Sequence, residues 1–180
     1  MKEIRIHGRG GQGSVVLAEM LGIAAFMEGK YCLAFPYLGG GGERRGAPVQ
    51  GFARIDDQPV KVREKIQNPD YVIIQDTSIM DVVDVFHGIR ENGTVIVNTS
   101  EKEFKCPRSD LKVVAVDASR IAMEALGRPI MNTALLGAFA KVTGEISIES
   151  VEATIRGRFE DELIDGNLKA ALDTYNAVQL

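Results

Sequence analysis

The run Ile4-Arg5-Ile6-His7-Gly8-Arg9-Gly10-Gly11-Gln12-Gly13-Ser14 obliges the chain to leave a strand through a glycine-dense turn and restart as a helix. A strand that feeds a helix N-terminus in this way makes an anion site, because the free N–H groups and the positive end of the helix dipole face one pocket. Glycines at 8, 10, 11 and 13 permit positive φ and let a phosphate approach the backbone. The opening residues therefore predict a phosphate-bearing ligand at Gly8, Arg9, Gly10, Gly11, Gln12, Gly13 and Ser14. The competing reading is a glycine turn that only lets the first helix pack on the sheet.

The spacing Gly8-x-Gly10-x-x-Gly13 matches the dinucleotide fingerprint. A nicotinamide site also needs an acid at the end of the second strand. Here Tyr31-Cys32-Leu33-Ala34-Phe35 runs into Pro36-Tyr37-Leu38 with no carboxylate, and no Gly-Lys-Ser/Thr follows the glycines as a Walker loop requires. A standalone NAD(P)- or nucleotide-binding Rossmann protein is the alternative reading, and the missing acid weighs against it.

The chain has 180 residues, enough for one domain over 1–180 that buries on the order of 70% of its unfolded surface. A net charge of −4 without a Lys/Arg cluster excludes the basic footprint of a nucleic-acid binder. Cys32 and Cys106 are far apart and lack a C-x-x-C partner, which is intracellular usage and predicts a cytoplasmic protein with no metal site. No apolar run approaches membrane-spanning length, and a chain opening directly on a charged strand is not expected to carry a secretory leader.

After the turn, Ser14 is expected to cap a helix that ends near Glu28-Gly29-Lys30, completing a strand, helix, strand unit. Residues 49–55 and 60–62 read as further strands around a turn at Asp56-Asp57-Gln58-Pro59. The runs Tyr71-Val72-Ile73-Ile74-Gln75, Thr94-Val95-Ile96-Val97 and Val113-Val114-Ala115-Val116 have the unbroken apolar character of strands buried on both faces. Residues 79–90 carry helical spacing between two of them. Further helices are predicted over 117–126, 129–142, 147–159 and 160–178, the second being the central packing helix. The pattern predicts a single-domain α/β fold: a mostly parallel, doubly wound (Rossmann-like) sheet with helices on both faces. In such a sheet the segments that follow the strands, including Asp76-Thr77-Ser78, Asn98-Thr99-Ser100 and Asp117-Ala118-Ser119, share one edge with the glycine turn. Asp76 and Asp117 read first as helix caps and second as site residues.

Two motifs together carry a family resemblance. His7-Gly8-Arg9-Gly10-Gly11-Gln12-Gly13 is followed by Phe35-Pro36 and then by Glu43-Arg44-Arg45-Gly46-Ala47-Pro48-Val49, leading into Phe52-Ala53-Arg54-Ile55. Pro69-Asp70-Tyr71 with Asp76, the strand end at Asn98, and Asn132-Thr133-Ala134-Leu135-Leu136-Gly137-Ala138 extend the likeness over most of the chain. In these features the chain resembles the gamma subunit of a 2-oxoacid (pyruvate/ketoacid):ferredoxin oxidoreductase, and the Glu-Arg-Arg-Gly-Ala-Pro form is closer to the pyruvate and branched-chain members. The run Gly39-Gly40-Gly41-Gly42 is longer and richer in glycine than the family pattern.

The resemblance implies a share in the oxidative decarboxylation of a 2-oxoacid, pyruvate being favoured, with coenzyme A to give acyl-CoA, CO2 and reduced ferredoxin. It implies thiamine-binding alpha and beta subunits and a ferredoxin-like delta subunit as partners, which would hold thiamine diphosphate, Mg2+ and the 4Fe-4S clusters. This chain offers two isolated thiolates where a cubane needs four, and it lacks the Gly-Asp-Gly pattern of thiamine sites, so no catalytic residue is assigned to it. What the resemblance leaves to it is assembly and coenzyme A, with phosphates at the glycine turn and Glu43, Arg44 and Arg45 beside it. The two arginines are expected to grip a phosphate or pair with acids of a partner; the competing reading is a solvated charge pair.

Overall fold

Alternation along the first strand sets the layering of the molecule. In the computed structural model, which describes residues 1–37, 45–101 and 103–179, β1 (Lys2–Arg9) is buried along nearly its whole length. Ile4 and Ile6 turn to one face of the sheet, where they join the main core, and Glu3, Arg5 and His7 turn to the other. Glu43 and Arg44 lie outside the described residues.

The remaining elements are α1 (Ser14–Met27), β2 (Tyr31–Tyr37), β3 (Pro48–Asp56), β4 (Tyr71–Ile74), β5 (Thr94–Asn98), β6 (Lys112–Val116), α2 (Ala118–Leu126), α3 (Asn132–Thr143), α4 (Ile148–Arg158) and α5 (Asp161–Ala177). They form a six-stranded sheet in the order β2-β3-β1-β4-β5-β6. β1, β4, β5 and β6 run parallel, and β3 lies antiparallel between β1 and β2. The predicted strand, helix, strand unit therefore exists, with a third strand inserted between its two strands. The α/β, mostly parallel fold class stands, but the expected helices on both faces do not: α1 to α5 all pack on the Ile4/Ile6 face, and a 3₁₀ turn with irregular segments covers the other.

The main core packs the helices against Ile4, Ile6, Ala53, Ile55, Ile73, Ile96 and Val114. α3 is its centre, buried from Asn132 to Ala140. At Gly137 a Cβ would lie 2.1 Å from the carbonyl oxygen of Ala171, so α5 approaches α3 more closely than any side chain would allow.

On the opposite face Val72, Ile74, Val95 and Val97 pack beneath Ile79, Val85, Phe86, Ile89 and Leu111. Here the sequence reading of 79–90 needs correction: the segment is a 3₁₀ turn over Thr77–Asp81 followed by irregular turns, and not the helix its spacing suggested. Two side chains take the backbone groups a helix would use. Asp84 Oδ1 accepts the Phe86 N–H at 3.0 Å, and the buried guanidinium of Arg5 donates to the carbonyls of Val85 (3.1 Å) and His87 (2.7 Å). A buried cation must find acceptors, and this segment supplies them. Burial also lowers the pKa of Arg5 to about 10, against the nearby charge of Asp84, which raises it.

The short strand over 60–62 is likewise absent, as its Val62 carbonyl accepts from Arg54 Nη1 at 2.9 Å. α3 starts three residues later than predicted, beyond Pro129. Ser14 is not the helix cap: Gly13, with φ 77° and ψ 32°, occupies that position, and Ser14 is the first helical residue.

Candidate functional site

The chain leaves β1 across the helical face toward β2, and leaves β4 across the opposite face toward β5. The switch point between β1 and β4 is where an open sheet of this kind parts at its carboxyl edge. Around it lies a polar cleft of about 380 Å³, lined by Gln12, Asp76, Asn98, Thr99, Glu101 and Asp117 among others. The strand-end segments predicted to share one edge do so. Asp76 accepts from the Ser78 N–H and Asp117 from the Arg120 N–H, so each carboxylate is both a cap and part of the cleft wall.

The glycine turn is fastened on two sides. Gly10 N–H donates to the Ala47 carbonyl at 2.8 Å, Gly46 N–H donates to the Gly10 carbonyl at 3.0 Å, and Arg9 Nη1 donates to the Gly46 carbonyl at 2.9 Å. Arg45 pairs with Gly10 in a parallel bridge. The two motifs on which the family resemblance rests thus lie against each other. Toward β4, Arg9 donates from Nε to Ser78 Oγ (3.0 Å) and from Nη2 to the Ser78 carbonyl (3.1 Å), while Gln12 Nε2 donates to Asp76 Oδ2 at 2.8 Å. Burial alone would raise the pKa of Asp76; the hydrogen bonds from Ser78 and Gln12, with the Arg9 charge, bring it below the usual range.

Beneath the turn lies an amide network that the sequence reading missed. Gln75 accepts from Ser14 Oγ at 2.6 Å and donates to Asn132 Oδ1 at 2.8 Å, and its carbonyl accepts from Asn98 Nδ2 at 2.8 Å. Gln75, Asn98, Asn132 and Ser14 are all buried. The signal available was a lone amide closing the apolar run of β4.

This network divides the glycines by role. A Cβ at Gly8 would meet Gln75 Oε1 and Ser14 Oγ, each at 2.5 Å, and one at Gly13 would meet Asn132 Nδ2 at 2.2 Å. Those two glycines make room for the network. Gly11 differs: its φ is +92°, and a Cβ there meets only the Arg45 side chain, at 3.7 Å and 3.9 Å. No acceptor among the described residues takes the N–H groups of Gly11, Gly13, Ser14, Val15 or Val16. Unpaired donors at a helix start, with the exposed Arg45 beside them, form an anion-attracting corner. The Ser14 hydroxyl is turned away from it and donates to Gln75.

No group of three or more His, Cys, Asp or Glu side chains among the described residues could hold a metal. Cys32 packs against Gly22, and burial pushes its thiol up to about 11. No helix is long and apolar enough to cross a membrane.

The family model described as pyruvate ferredoxin/flavodoxin oxidoreductase matches residues 3–177. The chain belongs to that family. Within it, the chain is a gamma-type subunit. It is 50% identical over 184 residues to the pyruvate/ketoisovalerate oxidoreductases common subunit gamma of Pyrococcus abyssi, covering 100% of this chain and 98% of that one. It is 54% identical over 157 residues to the pyruvate synthase subunit PorC of Methanosarcina barkeri, covering 87% and 85%. The crystal structure of pyruvate oxidoreductase subunit PORC from Thermotoga maritima superposes with a TM-score of 0.83 at 37% identity, over 99% of this chain and 97% of that one. The gamma-type subunit is accordingly one part of a multi-subunit oxidoreductase.

Proposed function

We propose that this subunit supplies the coenzyme A phosphate site of a 2-oxoacid:ferredoxin oxidoreductase and a packing surface for the subunits that carry the redox chemistry. The observation that supports it is the set of unpaired N–H groups of Gly11, Gly13, Ser14, Val15 and Val16 beside Arg45. A phosphate seated there gains charge-assisted hydrogen bonds that need no rearrangement of the turn, since Gly10, Arg9 and Gln12 are already tied to neighbouring segments. The carboxylates of Asp76, Glu101 and Asp117 line the polar cleft that Gln12 also borders, and there they repel phosphate while remaining good acceptors for hydroxyl or amino groups.

In this reading the complex oxidatively decarboxylates a 2-oxoacid, pyruvate being favoured by the names of the relatives. Thiamine-binding alpha and beta subunits and a ferredoxin-like delta subunit complete it in the cytoplasm. Cys32 and Cys106 do not suit a cubane cluster, which takes four thiolates, so electron transfer belongs to those partners.

The test is calorimetric titration of the assembled enzyme, and of the same enzyme with Arg45→Ala, with coenzyme A, dephospho-coenzyme A and NAD. Binding of coenzyme A weakened several-fold by Arg45→Ala is the expected result. Coenzyme A binding unchanged by the substitution, or a preference for NAD, would overturn it.

A further inference from the structure

With all the helices on one face of the sheet, the other face depends for its cover on the 3₁₀ turn Thr77–Asp81 and the irregular segments around it. That cover is thin. Met80, Val83, Phe104 and Val113 pack against the second apolar cluster and stay only partly buried. Val82 is 67% exposed, and Ala115 is exposed on the edge strand β6. Parallel strands are ordinarily closed on both faces, so apolar side chains left open together here carry information that singly scattered ones do not.

These side chains line three depressions that run into one another. The first, of about 470 Å³, holds Val113 and Ala115 and shares Glu103 and Phe104 with the second, of about 580 Å³. The second shares Met80 and Asp81 with the third, of about 500 Å³, which Val82, Val83 and Pro107 bound. Together they exceed the roughly 300–1,000 Å³ of a small-molecule site. The charges along this trough are one-sided: Asp81, Asp84, Glu101 and Glu103 line it against the single cation Lys105 among the described residues. None of the four carboxylates is in an ion pair among the described residues, although the buried Arg5 lies near enough to Asp84 to feel its charge. An acidic rim repels an anionic membrane or nucleic acid and attracts a cationic stretch of protein. The apolar floor asks that stretch for apolar side chains between its cations. A second copy of this chain, paired isologously, would set the acidic rim against itself.

We propose that this trough seats a basic, partly apolar segment of another subunit of the oxidoreductase, which closes the second face of the sheet as the helices close the first. The inference rests on the reading that this subunit packs against its partners, and it is independent of where coenzyme A binds.

Hydrogen exchange, read by mass spectrometry on the isolated chain and on the assembled enzyme, locates the covered surface. Peptides over 80–86 and 103–107 should exchange at least several-fold more slowly in the assembly. Two variants then separate the rim from the floor: the double reversal Asp81→Lys with Glu103→Lys, and Val82→Ser, all at exposed side chains. Thermal melting establishes that each folds. Each is produced together with the wild-type chain and the partner subunits, and the fraction that enters the purified complex is measured by mass spectrometry. The double reversal should be under-represented at least several-fold and Val82→Ser about twofold, whereas Asp57→Lys, a reversal at an exposed acid outside the trough, should enter as the wild type does. Protection elsewhere on the chain but not in the trough would overturn the proposal and leave the packing reading standing; protection nowhere would overturn both. Concentration-dependent protection of the trough in the isolated chain would assign it to a second copy and overturn the proposal, as would wild-type incorporation of either folded variant.

Discussion

Replacing Gly11 separates the binding reading of the glycine turn from the packing one, because Gly11 alone among Gly8, Gly11 and Gly13 has open space where a side chain would go. The strain of Gly11→Val is conformational. Its φ of +92° is a backbone that L-residues avoid, at roughly 1–2 kcal/mol and somewhat more for a β-branched residue. The nearest atoms to a new Cβ, Arg45 Cγ at 3.7 Å and Nε at 3.9 Å, are at ordinary contact distance, so no core atom has to move. For a chain of this size the loss lowers Tm by about 2–8 °C. A methyl pair over the unpaired N–H groups excludes a phosphate oxygen, and losing one charge-assisted hydrogen bond costs about 1.5–3 kcal/mol, or roughly ten- to hundredfold in affinity.

In the reconstituted complex, Gly11→Val should therefore raise KM for coenzyme A at least several-fold, while decarboxylation to the enzyme-bound thiamine intermediate survives. Gly13→Ala is the contrasting variant. Its Cβ falls 2.2 Å from Asn132 Nδ2 and displaces the partner of Gln75, so it should cost more stability with no special effect on coenzyme A beyond that loss. Thermal melting of each variant comes first. A well-folded Gly11→Val subunit with ordinary coenzyme A kinetics would refute the reasoning and leave the turn a packing device.

His7 is buried neutral, with a pKa near 3 against 6.5 in the unfolded chain, so between those values only the unfolded state takes up the proton and stability falls as pH falls. Urea unfolding should show about 2 kcal/mol less stability from this group at pH 5 than at pH 7.5, a loss that His7→Gln removes. Gly137→Ala drives a methyl group into the Ala171 carbonyl at 2.1 Å and should destabilise by about 1–3 kcal/mol in the same assay. Asp117→Ala removes the cap of α2 and should cost about 1 kcal/mol while leaving KM for coenzyme A within twofold, since Asp117 lines the polar cleft, whose wall includes neither Gly11 nor Arg45. The purified chain should be colourless, and metal analysis with visible spectroscopy should find neither iron nor a charge-transfer band.

Periodicity made the layers legible: the unbroken apolar runs of β4, β5 and β6 pair in parallel, β4 and β5 being buried while β6, at the sheet edge, leaves Ala115 exposed, and α3 is the central helix its all-round apolar surface implied. It misled where a distant side chain outbid the local pattern. Nothing within 79–90 announces that Arg5 will reach two of its carbonyls, because the demand arises from a buried cation in β1. The insertion of β3 between β1 and β2 is similarly non-local: the strand was legible, but its neighbours are set by pairing across the sheet. Ser14 follows the same logic. Its residue type favours a cap, yet Gly13 takes the left-handed position and Gln75 claims the hydroxyl.

The candidate site was legible as a pair of motifs and illegible as a division of labour. The spacing of Gly8, Gly10, Gly11 and Gly13 treats them as equivalent, whereas their surroundings do not. Gly8 and Gly13 accommodate buried amides, Gly10 exchanges hydrogen bonds with Gly46 and Ala47, and Gly11 faces Arg45 across open space. Arg9 shows why charge alone is a poor guide to a phosphate ligand. Its guanidinium is occupied by Ser78 and Gly46 and fixes the turn, so among the described residues the cation available at the corner is Arg45, more than 30 residues away in sequence. A rigid loop carrying unpaired donors, with a cation brought to it by a second segment, is how an anion site keeps its donors in place before the ligand arrives. Arg9 and Gln12 fix the turn through their side chains, whereas Gly11 holds a positive φ that glycine alone adopts without strain, and the two functions cannot be exchanged between the residues.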